Sequence, residues 1–337
     1  MTNSIQTSAR EEPPVNAIVV EGLRKRFDAL TAVDGISFQV RAGEIFGFLG
    51  PNGAGKSTTI SMLATLLHPT EGTAAINGYD ILNQRDLVRQ SLGLVFQDPT
   101  LDDRLTAEEN LRFHARLYGV IGDRYHKRIR EVLELVDLWD RRDNIVRTFS
   151  GGMKRRLEIA RGLIHYPRVL FLDEPTLGLD PQTRVHIWEY IRRLQQNQSM
   201  TIFLTTHYMQ EAENCDRVAV IDHGQIIAND TPAALKKQVG EDIITIQSRD
   251  KDALKHAIEE RYQFRVQEEN GSLRLGVPDG DHLLPKLLRD LPVEIDSIQL
   301  AKPTLEDVFI HLTGRRIREE TVDAKKRWQQ RVRRRRQ

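Results

Sequence analysis

A run of nine residues constrains the fold of this chain more than any other feature. It consists of Gly50, Pro51, Asn52, Gly53, Ala54, Gly55, Lys56, Ser57 and Thr58, and it matches the pattern GxxxxGK[ST]. An apolar stretch precedes it at 45–49, and a helical pattern follows it at 57–67. In such a loop, glycines let backbone N–H groups surround phosphates at a helix N-terminus, the lysine reaches the β and γ oxygens, and the serine binds Mg²⁺. We therefore predict a nucleoside triphosphate site; a glycine-rich turn without a ligand is the alternative.

The composition is that of an ordinary globular protein. Of the 337 residues, 39% are hydrophobic and 29% are charged, and this length suggests two domains. The strongest apolar runs, at 17–20, 169–172 and 218–221, have four residues each, whereas a membrane span needs about 20. The first residues lack the apolar stretch and cleavage site of a signal peptide. Cys215, the one cysteine, excludes an internal disulfide, so we expect a protein of the reducing cytosol.

The charge is unevenly distributed. The net charge is +1, but residues 315–337 carry eleven lysines and arginines against three acidic residues, a local +8 that leaves −7 for residues 1–314. We predict a basic tail at 316–337 and a disordered lead at 1–15. Three interpretations of the tail stay open: a solvated disordered end, attraction to an anionic membrane leaflet with Trp328 as an anchor, and nucleic-acid binding.

Apolar runs alternate with helical patterns up to about residue 240, which is typical of an α/β domain with a largely parallel sheet. Predicted strands lie at 17–22, 32–40, 44–50, 72–79, 92–97, 169–173, 201–205 and 217–222. At about 99–165 the pattern is helical and charged, and Thr106 and Glu109 have the spacing of a capping box. We interpret this segment as a helical subdomain inserted in a nucleotide-binding domain at 16–240. Another helix is predicted to begin at Asp180.

The pattern changes after residue 240. Strand, helix, hairpin, helix and strand are predicted at 242–248, 252–262, 264–277, 282–291 and 293–300, with the hairpin turn at 270–271. This β-α-β-β-α-β order predicts a small α+β accessory domain of ferredoxin-like type at 241–315. A last helix is predicted at 305–312.

A second motif narrows the chemistry of the phosphate site. The apolar strand 169–172 is followed directly by Asp173 and Glu174. In the presence of the phosphate-binding loop, Asp173 is placed to hold the Mg²⁺ shell, and Glu174 can polarise a water aimed at the γ-phosphate. Without that loop, two carboxylates after a strand would be ordinary strand-to-loop chemistry.

A third motif is the run FSGGM at 149–153, which opens a helical stretch. Ser150 can cap that helix, while the N–H groups of Gly151 and Gly152 stay free to bind an anion. Since the first loop already surrounds a triphosphate, we expect these donors to bind the nucleotide of a second molecule. Seen alone, Ser-Gly-Gly is usually a flexible linker.

Together these motifs resemble those of an ABC transporter ATP-binding subunit, and the likeness spans about 17–234. The resemblance implies a P-loop NTPase cassette with a mixed sheet core and an inserted helical subdomain, which binds ATP and Mg²⁺. It also implies a head-to-tail homodimer, in which the signature residues Ser150, Gly151 and Gly152 complete the ATP site of the other subunit.

The resemblance assigns roles to further residues. Phe27 resembles the aromatic residue that stacks on adenine, although a phenylalanine there can also be core. Gln97 resembles the Q-loop glutamine, Asp180 the D-loop aspartate, and His207 the switch histidine that hydrogen-bonds the γ-phosphate. Asp180 can serve as a helix cap at the same time. The implied catalytic residues are Glu174, His207 and Gln97, and the implied Mg²⁺ ligands are Ser57, Gln97 and, through water, Asp173.

Two positions depart from the usual family pattern, because Met153 stands where many members have glutamine and Phe149 where many have leucine. The serine and glycines that contact the anion remain, so we expect hydrolysis to be retained. Downstream, the runs PTLEDVF at 303–309 and LTGR at 312–315 resemble the C-terminal extension of the daunorubicin-resistance type of ABC ATPase.

This subfamily resemblance implies a subunit that powers efflux of a drug-like or other amphipathic compound through a separate integral-membrane permease. We expect the chain to lie peripherally on the cytoplasmic face of the inner membrane, with no nucleic acid as partner. The alternatives are a soluble nucleic-acid-associated ABC ATPase, which the basic tail favours, and a non-hydrolysing regulatory binder. The presence of Glu174 and His207 argues against the second alternative.

Overall fold

The computed structural model describes residues 16–314 apart from 121, 270–271 and 292. The predicted lead at 1–15, the tail at 316–337 and the hairpin turn at 270–271 lie outside the described residues. The chain divides into two compact units between Asp230 and Thr231. The boundary predicted at residue 240 lies further along the chain, so a short helix at Pro232–Lys237 belongs to the second unit.

An antiparallel sheet of four strands lies in the first unit. In spatial order it contains β2 (Leu30–Arg41), β1 (Asn16–Phe27), β4 (Glu71–Ile76) and β5 (Tyr79–Asp80). The inward-facing residues of the two long strands are apolar and buried, among them Ile18, Leu23 and Val40. This alternation buries one face of the sheet in the core of the unit.

The second sheet of this unit has six strands and is mixed. Its strands, in spatial order, are β10 (Gln225–Asp230), β9 (Arg217–Asp222), β3 (Ile45–Leu49), β8 (Thr201–Thr206), β7 (Val169–Asp173) and β6 (Leu92–Val95). All neighbours are parallel except β9 and β10, which are antiparallel. Every residue of β3 and β7 is buried, as expected for central strands of a largely parallel sheet.

Phenylalanines join the two sheets. The ring of Phe203 in β8 lies 5.4–5.9 Å, centroid to centroid, from the rings of Phe38, Phe46, Phe48 and Phe171. Phe38 comes from β2 and the others from the six-stranded sheet. Because aromatic rings bury large apolar areas, this cluster fixes the positions of β3, β7 and β8, from whose ends the candidate site extends.

The helices of the first unit fall into two groups. Around the sheets lie α1 (Lys56–Leu63), α2 (Arg85–Ser91), α6 (Pro181–Gln198) and α7 (Met209–Ala212). The segment between β6 and β7 contains α3 (Ala107–Leu117), α4 (Asp123–Leu135), α5 (Gly151–Gly162) and short 3₁₀ turns at Trp139–Arg141 and Val146–Thr148. The capping box of α3 is confirmed: Thr106 Oγ1 accepts the Glu109 N–H at 3.1 Å, and Glu109 Oε2 accepts the Thr106 N–H at 2.8 Å.

The second unit is a smaller α+β structure. Its sheet has the order β12 (Val266–Glu269), β13 (Ser272–Val277), β11 (Asp242–Gln247) and β14 (Ser297–Ala301), and every pair is antiparallel. Its helices are α8 (Pro232–Lys237), α9 (Lys251–Tyr262), α10 (Gly280–Asp290) and α11 (Leu305–Thr313). The strands and the helices α9 and α10 follow the β-α-β-β-α-β order of ferredoxin-like folds around a core of leucine, isoleucine and valine.

The strand predictions for the first unit need correction at two tight turns, and the strand predicted at 17–22 continues to Phe27 in β1. The strand predicted at 72–79 is divided into β4 and β5, because Asn77 and Gly78 have φ angles of 51° and 82° and form a turn. Strand β10 was not predicted; it forms a hairpin with β9 through His223 and Gly224, with φ angles of 47° and 80°. Two consecutive positive φ values are typical of a type I′ hairpin turn.

The strands β7 and β9 have the bounds that the sequence predicts, and a helix begins after Asp180 as expected. Among the described residues, none of the helices combines the length and the hydropathy that crossing a bilayer requires.

Two glycines in the loop between β3 and α1 differ in how closely the rest of the protein packs against their backbone. Gly55 has a φ of 107°, and a Cβ added there would lie 2.5 Å from the backbone oxygen of Ala32 in β2. Gly53 has a φ of 80°, but a Cβ there would meet nothing within 4 Å. We expect Gly53→Ala to lower the unfolding free energy by about 1–2 kcal/mol through backbone strain alone, and Gly55→Ala by clearly more, as measured by urea unfolding. Equal losses would contradict the close approach of β2.

Candidate functional site

The candidate site lies where three neighbouring parallel strands end. The carboxyl ends of β3, β8 and β7 meet at one edge of the six-stranded sheet. Beyond them come the loop 50–55, His207 and Glu174. Ligands of open α/β sheets bind outside this edge, so the fold brings together motifs that lie more than one hundred residues apart in the sequence.

The loop 50–55 is held against the sheet by its backbone. The Gly50 N–H donates to the carbonyl of Thr206 at 3.2 Å, and the carbonyl of Ala54 accepts the Gly224 N–H at 3.0 Å. A Cβ at Gly50 would lie 2.3 Å from the backbone oxygen of Ile221, so this position requires glycine. The loop curls at the start of α1, where Asn52 and Gly53 are exposed. Exposed backbone at a helix N-terminus favours anions.

Lys56 is buried and turns back into the loop. Its Nζ donates to the carbonyl oxygens of Gly50 and Pro51 at 2.8 and 3.1 Å and lies 3.3 Å from Glu174 Oε1. Burial lowers the pKa of Lys56, while the nearby carboxylates of Glu174 and Asp173 oppose this shift. Lys56 therefore brings a positive charge to the floor of the loop.

Asp173 ends β7 beside the start of α1. Its Oδ1 accepts hydrogen bonds from Ser57 Oγ at 3.3 Å and from Thr205 Oγ1 at 2.5 Å. Thr205 belongs to β8 and accepts the Glu174 N–H at 3.0 Å through the same hydroxyl oxygen. One threonine thus orients the side chain of Asp173 and the backbone of the following residue.

Glu174 lies between the side chains of Lys56 and His207. Its Oε1 lies 3.3 Å from Lys56 Nζ and 3.3 Å from His207 Nδ1. Burial alone would raise the pKa of Glu174, but His207 and Lys56 together hold it below its ordinary value. The residue adopts a φ of 45°, a left-handed conformation that is uncommon outside glycine and is found at functional sites.

Ser150 and Gly152 lie at the start of α5, away from these contacts. Ser150 caps α5 by accepting the Met153 N–H at 3.2 Å. Gly152 packs closely on α6, since a Cβ there would lie 2.4 Å from Thr183 Cγ2. Ser150 and Gly151 are exposed. Across the described part of the chain, no hydrogen bond or ion pair joins residues 150–152 to the loop 50–55.

Asp180 caps α6 next to this turn. Its carboxylate accepts the Thr183 N–H at 3.0 Å and the Thr183 hydroxyl at 2.6 Å, and these hydrogen bonds lower its pKa. Thr183 therefore connects the segment that contains Asp180 to the turn that contains Gly152. The predicted helix-capping role of Asp180 is confirmed.

Gln97 and Phe27 are the two remaining predicted site residues. Gln97 is half-buried two residues beyond the end of β6, the neighbour of β7, and so lies at the same sheet edge. Phe27 ends β1 with 43% of its surface exposed, and Lys25 Nζ lies 5.1 Å from the centre of its ring. An exposed ring at a strand end is free to stack on a planar ligand.

Three residues that support the site were not predicted from the sequence. They are Thr205, Arg155 and Glu211. Glu211 is buried in α7, where it accepts hydrogen bonds from the hydroxyls of Thr206 and Thr176; burial raises its pKa, and the Thr206 hydrogen bond lowers it. Threonines that end an otherwise apolar strand were a usable signal, because buried hydroxyls need partners.

Comparison with known families agrees with this geometry. Residues 33–177 match the family described as ABC transporter. Residues 231–313 match the family described as ATP-binding protein DrrA1-3-like, C-terminal domain. The second match begins at the division between the two compact units.

Curated relatives resemble the chain over most of its length. The daunorubicin/doxorubicin resistance ATP-binding protein DrrA of Streptomyces peucetius is 40% identical over 310 residues, which cover 89% of this chain and 93% of that protein. The Nod factor export ATP-binding protein I of Ralstonia nicotianae is 41% identical over 320 residues, which cover 92% of this chain and 99% of that protein.

Solved structures share the fold. The protein cbiO1 of Clostridium perfringens, described as part of the ABC transporter complex cbiONQ, has a TM-score of 0.62 and 27% identity over 75% of this chain and 97% of its own. The cassette MJ0796, described as dimeric in a post-hydrolysis state with ADP and Pi, has a TM-score of 0.57 and 26% identity over 64% of this chain and 98% of its own. The resemblance drawn from the motifs is confirmed: the chain belongs to the ABC transporter family, as an ATP-binding cassette followed by a DrrA-type C-terminal domain.

Proposed function

We propose that this protein binds and hydrolyses ATP as one of two identical subunits, and that the cycle powers export through a separate membrane permease. The observation that carries this proposal is the meeting of Lys56, Ser57, Asp173 and Glu174 at one sheet edge, with separations of 3.3 Å between Lys56 and Glu174 and between Ser57 and Asp173. This arrangement combines a phosphate-binding loop with a carboxylate able to take a proton from water.

ATP binds with its phosphates on the loop 50–55. The backbone N–H groups of the loop and the N-terminus of α1 hold the β-phosphate, and Phe27 stacks on the adenine. In the structure, the Lys56 ammonium donates to two loop carbonyls and forms an ion pair with Glu174. When the γ-phosphate arrives, Lys56 turns toward it and releases the carboxylate of Glu174.

The residues beside the phosphate site fit Mg²⁺. Within the described residues, no three His, Cys, Asp or Glu side chains gather to hold a metal ion. Ser57 Oγ and Asp173 Oδ1 do lie 3.3 Å apart, and such hard oxygen donors suit a magnesium ion that shares phosphate and water ligands. Asp173 would hold the ion through water and Gln97 would complete the set, while the ion supplies charge neutralisation between the phosphates.

Hydrolysis needs a base and a group that recognises the γ-phosphate. Glu174, whose pKa lies below its ordinary value, is a carboxylate at neutral pH and accepts a proton from the attacking water. The water oxygen bonds to the γ-phosphorus as the bond to the β,γ-bridging oxygen breaks, which leaves ADP and phosphate. His207, now 3.3 Å from Glu174, hydrogen-bonds the γ-phosphate.

The second subunit completes the site. Ser150 and Gly151 are exposed, and they stand apart from the phosphate loop of their own chain. We infer that Ser150, Gly151 and Gly152 meet the γ-phosphate bound by the other subunit, with Asp180 at the junction. The dimeric state described for MJ0796 supports this arrangement.

The export role is supported by the relatives. One is described as a drug resistance ATP-binding protein and another as a Nod factor export ATP-binding protein, so the compounds differ while the cassette is shared. We propose an amphipathic compound as cargo, a peripheral position on the cytoplasmic face of the inner membrane, and an integral-membrane permease as partner. Nucleic acid is not among the proposed partners.

Replacing the catalytic base tests the proposed mechanism. We expect Glu174→Gln to lower kcat for ATP by about 10² or more and to trap an ATP-bound dimer, since the amide cannot take the proton. Light scattering with and without Mg-ATP measures the dimer. Lys56→Ala in the same background is the control and should remain monomeric, because the phosphate contact is lost. Hydrolysis by Glu174→Gln at the wild-type rate would contradict the role of Glu174.

The export role is tested in cells that express the chain with its permease. We expect resistance to anthracycline drugs that disappears with Lys56→Ala while the amount of protein stays constant, because hydrolysis supplies the energy. Permease-dependent ATPase activity without resistance would redirect the search to lipids or glycans. ATPase activity stimulated by nucleic acid instead of the permease would overturn the export role.

A further inference from the structure

Arg155, in the second turn of α5, reaches two separate segments at the edge of the site, one after β6 and one at the end of β7. Its side chain is buried, with 8% exposure. Its Nη1 donates to the carbonyl of Phe96 at 2.5 Å, and its Nε donates to the carbonyl of Pro175 at 2.8 Å. Its Nη2 donates to the carbonyl of Asp173 at 3.0 Å. One guanidinium thus joins α5 to the backbone on both sides of Glu174 and to the residue before Gln97.

Glu158 neutralises the buried charge of Arg155 and adds a further contact between α5 and the segment 96–100. Its side chain has 1% exposure, and its Oε2 accepts Arg155 Nη1 at 3.0 Å. Its Oε1 accepts the Thr100 N–H at 2.7 Å. The segment 96–100, which contains Gln97, is therefore fastened to α5 at both ends. A buried ion pair is costly to desolvate and often contributes little net stability. The contacts of Arg155 and Glu158 therefore point to a role other than stabilising the fold.

The carbonyls held by Arg155 belong to residues that bracket Glu174. Glu174 has a left-handed φ of 45°. This conformation is maintained only while the peptide groups on both sides of Glu174 are held in place. A rigid, planar guanidinium suits this task because its donors point in fixed directions, whereas a lysine ammonium is a point charge on a flexible chain. A displacement of α5 or of segment 96–100 would move the same carbonyls and hence the carboxylate.

We propose that Arg155 and Glu158 form a positioning pair that sets the orientation of Glu174 and couples it to α5 and to the segment containing Gln97. This inference rests on the proposed function, in which Glu174 is the base. The pair does not touch the nucleotide: the phosphates bind at the loop 50–55, and Arg155 acts on the backbone beneath the base. It therefore affects the rate of the chemical step more than the binding of ATP.

Arg128 offers a matched control in the same helical subdomain. It is also buried, forms an ion pair with Glu131 at 3.3 Å, and donates to the carbonyls of Leu163 and Ile164. Those carbonyls lie just beyond the last residue of α5, so the control removes a comparable set of hydrogen bonds at the opposite end of the helix from Ser150.

The test compares Arg155→Lys with Arg128→Lys in steady-state ATPase assays and urea unfolding. For Arg155→Lys we expect kcat to fall about tenfold or more, with KM for ATP changed less than about twofold, because misplacement of a reacting group slows chemistry. Arg128→Lys should lose a similar amount of stability but keep kcat. Equal kcat values for the two folded variants would overturn the inference.

A second pair of variants separates a loss of catalysis from a loss of stability. Arg155→Met alone leaves the buried carboxylate of Glu158 without its ion-pair partner, whereas adding Glu158→Leu removes both charges and should restore stability. We expect the double variant to regain its unfolding midpoint but not its kcat. If kcat returns together with stability, the pair is only structural and the inference is wrong.

Failure of the proposed function has a different signature. Wild-type protein without ATPase activity, or Glu174→Gln with the wild-type rate, would remove the base that the pair positions. Wild-type activity that depends on Glu174, together with an unchanged kcat in Arg155→Lys, would overturn the positioning role alone.

Discussion

Buried charges at the carboxyl edge of the six-stranded sheet can exist only because they satisfy one another. Lys56 and Glu174 have side-chain exposures of 4% and 8%, and each would cost several kcal/mol if left unpaired. Two loop carbonyls accept hydrogen bonds from Lys56, Thr205 donates to Asp173, and His207 Nδ1 lies 3.3 Å from Glu174. The aromatic core around Phe203 holds the three strands in the register that keeps these groups together. The site is thus assembled by the protein itself and prepared for an anionic ligand.

The same pairing gives the cycle a physical basis. Lys56 is engaged by Glu174 at 3.3 Å, and arrival of a γ-phosphate gives the ammonium a more strongly charged partner. In the mechanism that we propose, Glu174 then becomes available as a base. Because Arg155 holds the carbonyls of Asp173 and Pro175, the released carboxylate swings on a fixed backbone. We therefore propose that ATP binding, release of the Glu174 carboxylate and coupling to α5 all depend on two sets of contacts. These are the Lys56–Glu174 pair and the hydrogen bonds from Arg155 to the carbonyls on either side of Glu174.

Motifs with local signals were predictable from the sequence. The run 50–58, the strand that ends at Asp173 and the cap at Asp180 depend on glycines, apolar runs and capping residues that lie together in the chain. The hydrogen bonds of Thr205 and Arg155 to residues outside their own strand or helix were not, because those partners lie at least 18 residues away. The hairpin at His223 and Gly224 was missed because His-Gly is not among the residue pairs, such as Asn-Gly and Asp-Gly, that mark a type I′ turn. The roles of single site residues, and the domain bounds drawn at residue 240, remain predictions.

The account depends most on completion of each ATP site by a second copy of the chain. A structure of the Glu174→Gln variant with Mg-ATP tests this directly. We predict a two-fold dimer with ATP between Lys56 of one subunit and Ser150 of the other, the serine hydroxyl within hydrogen-bond distance of the γ-phosphate. ATP bound to a single chain, or a dimer with Ser150 remote from both nucleotides, would contradict the account.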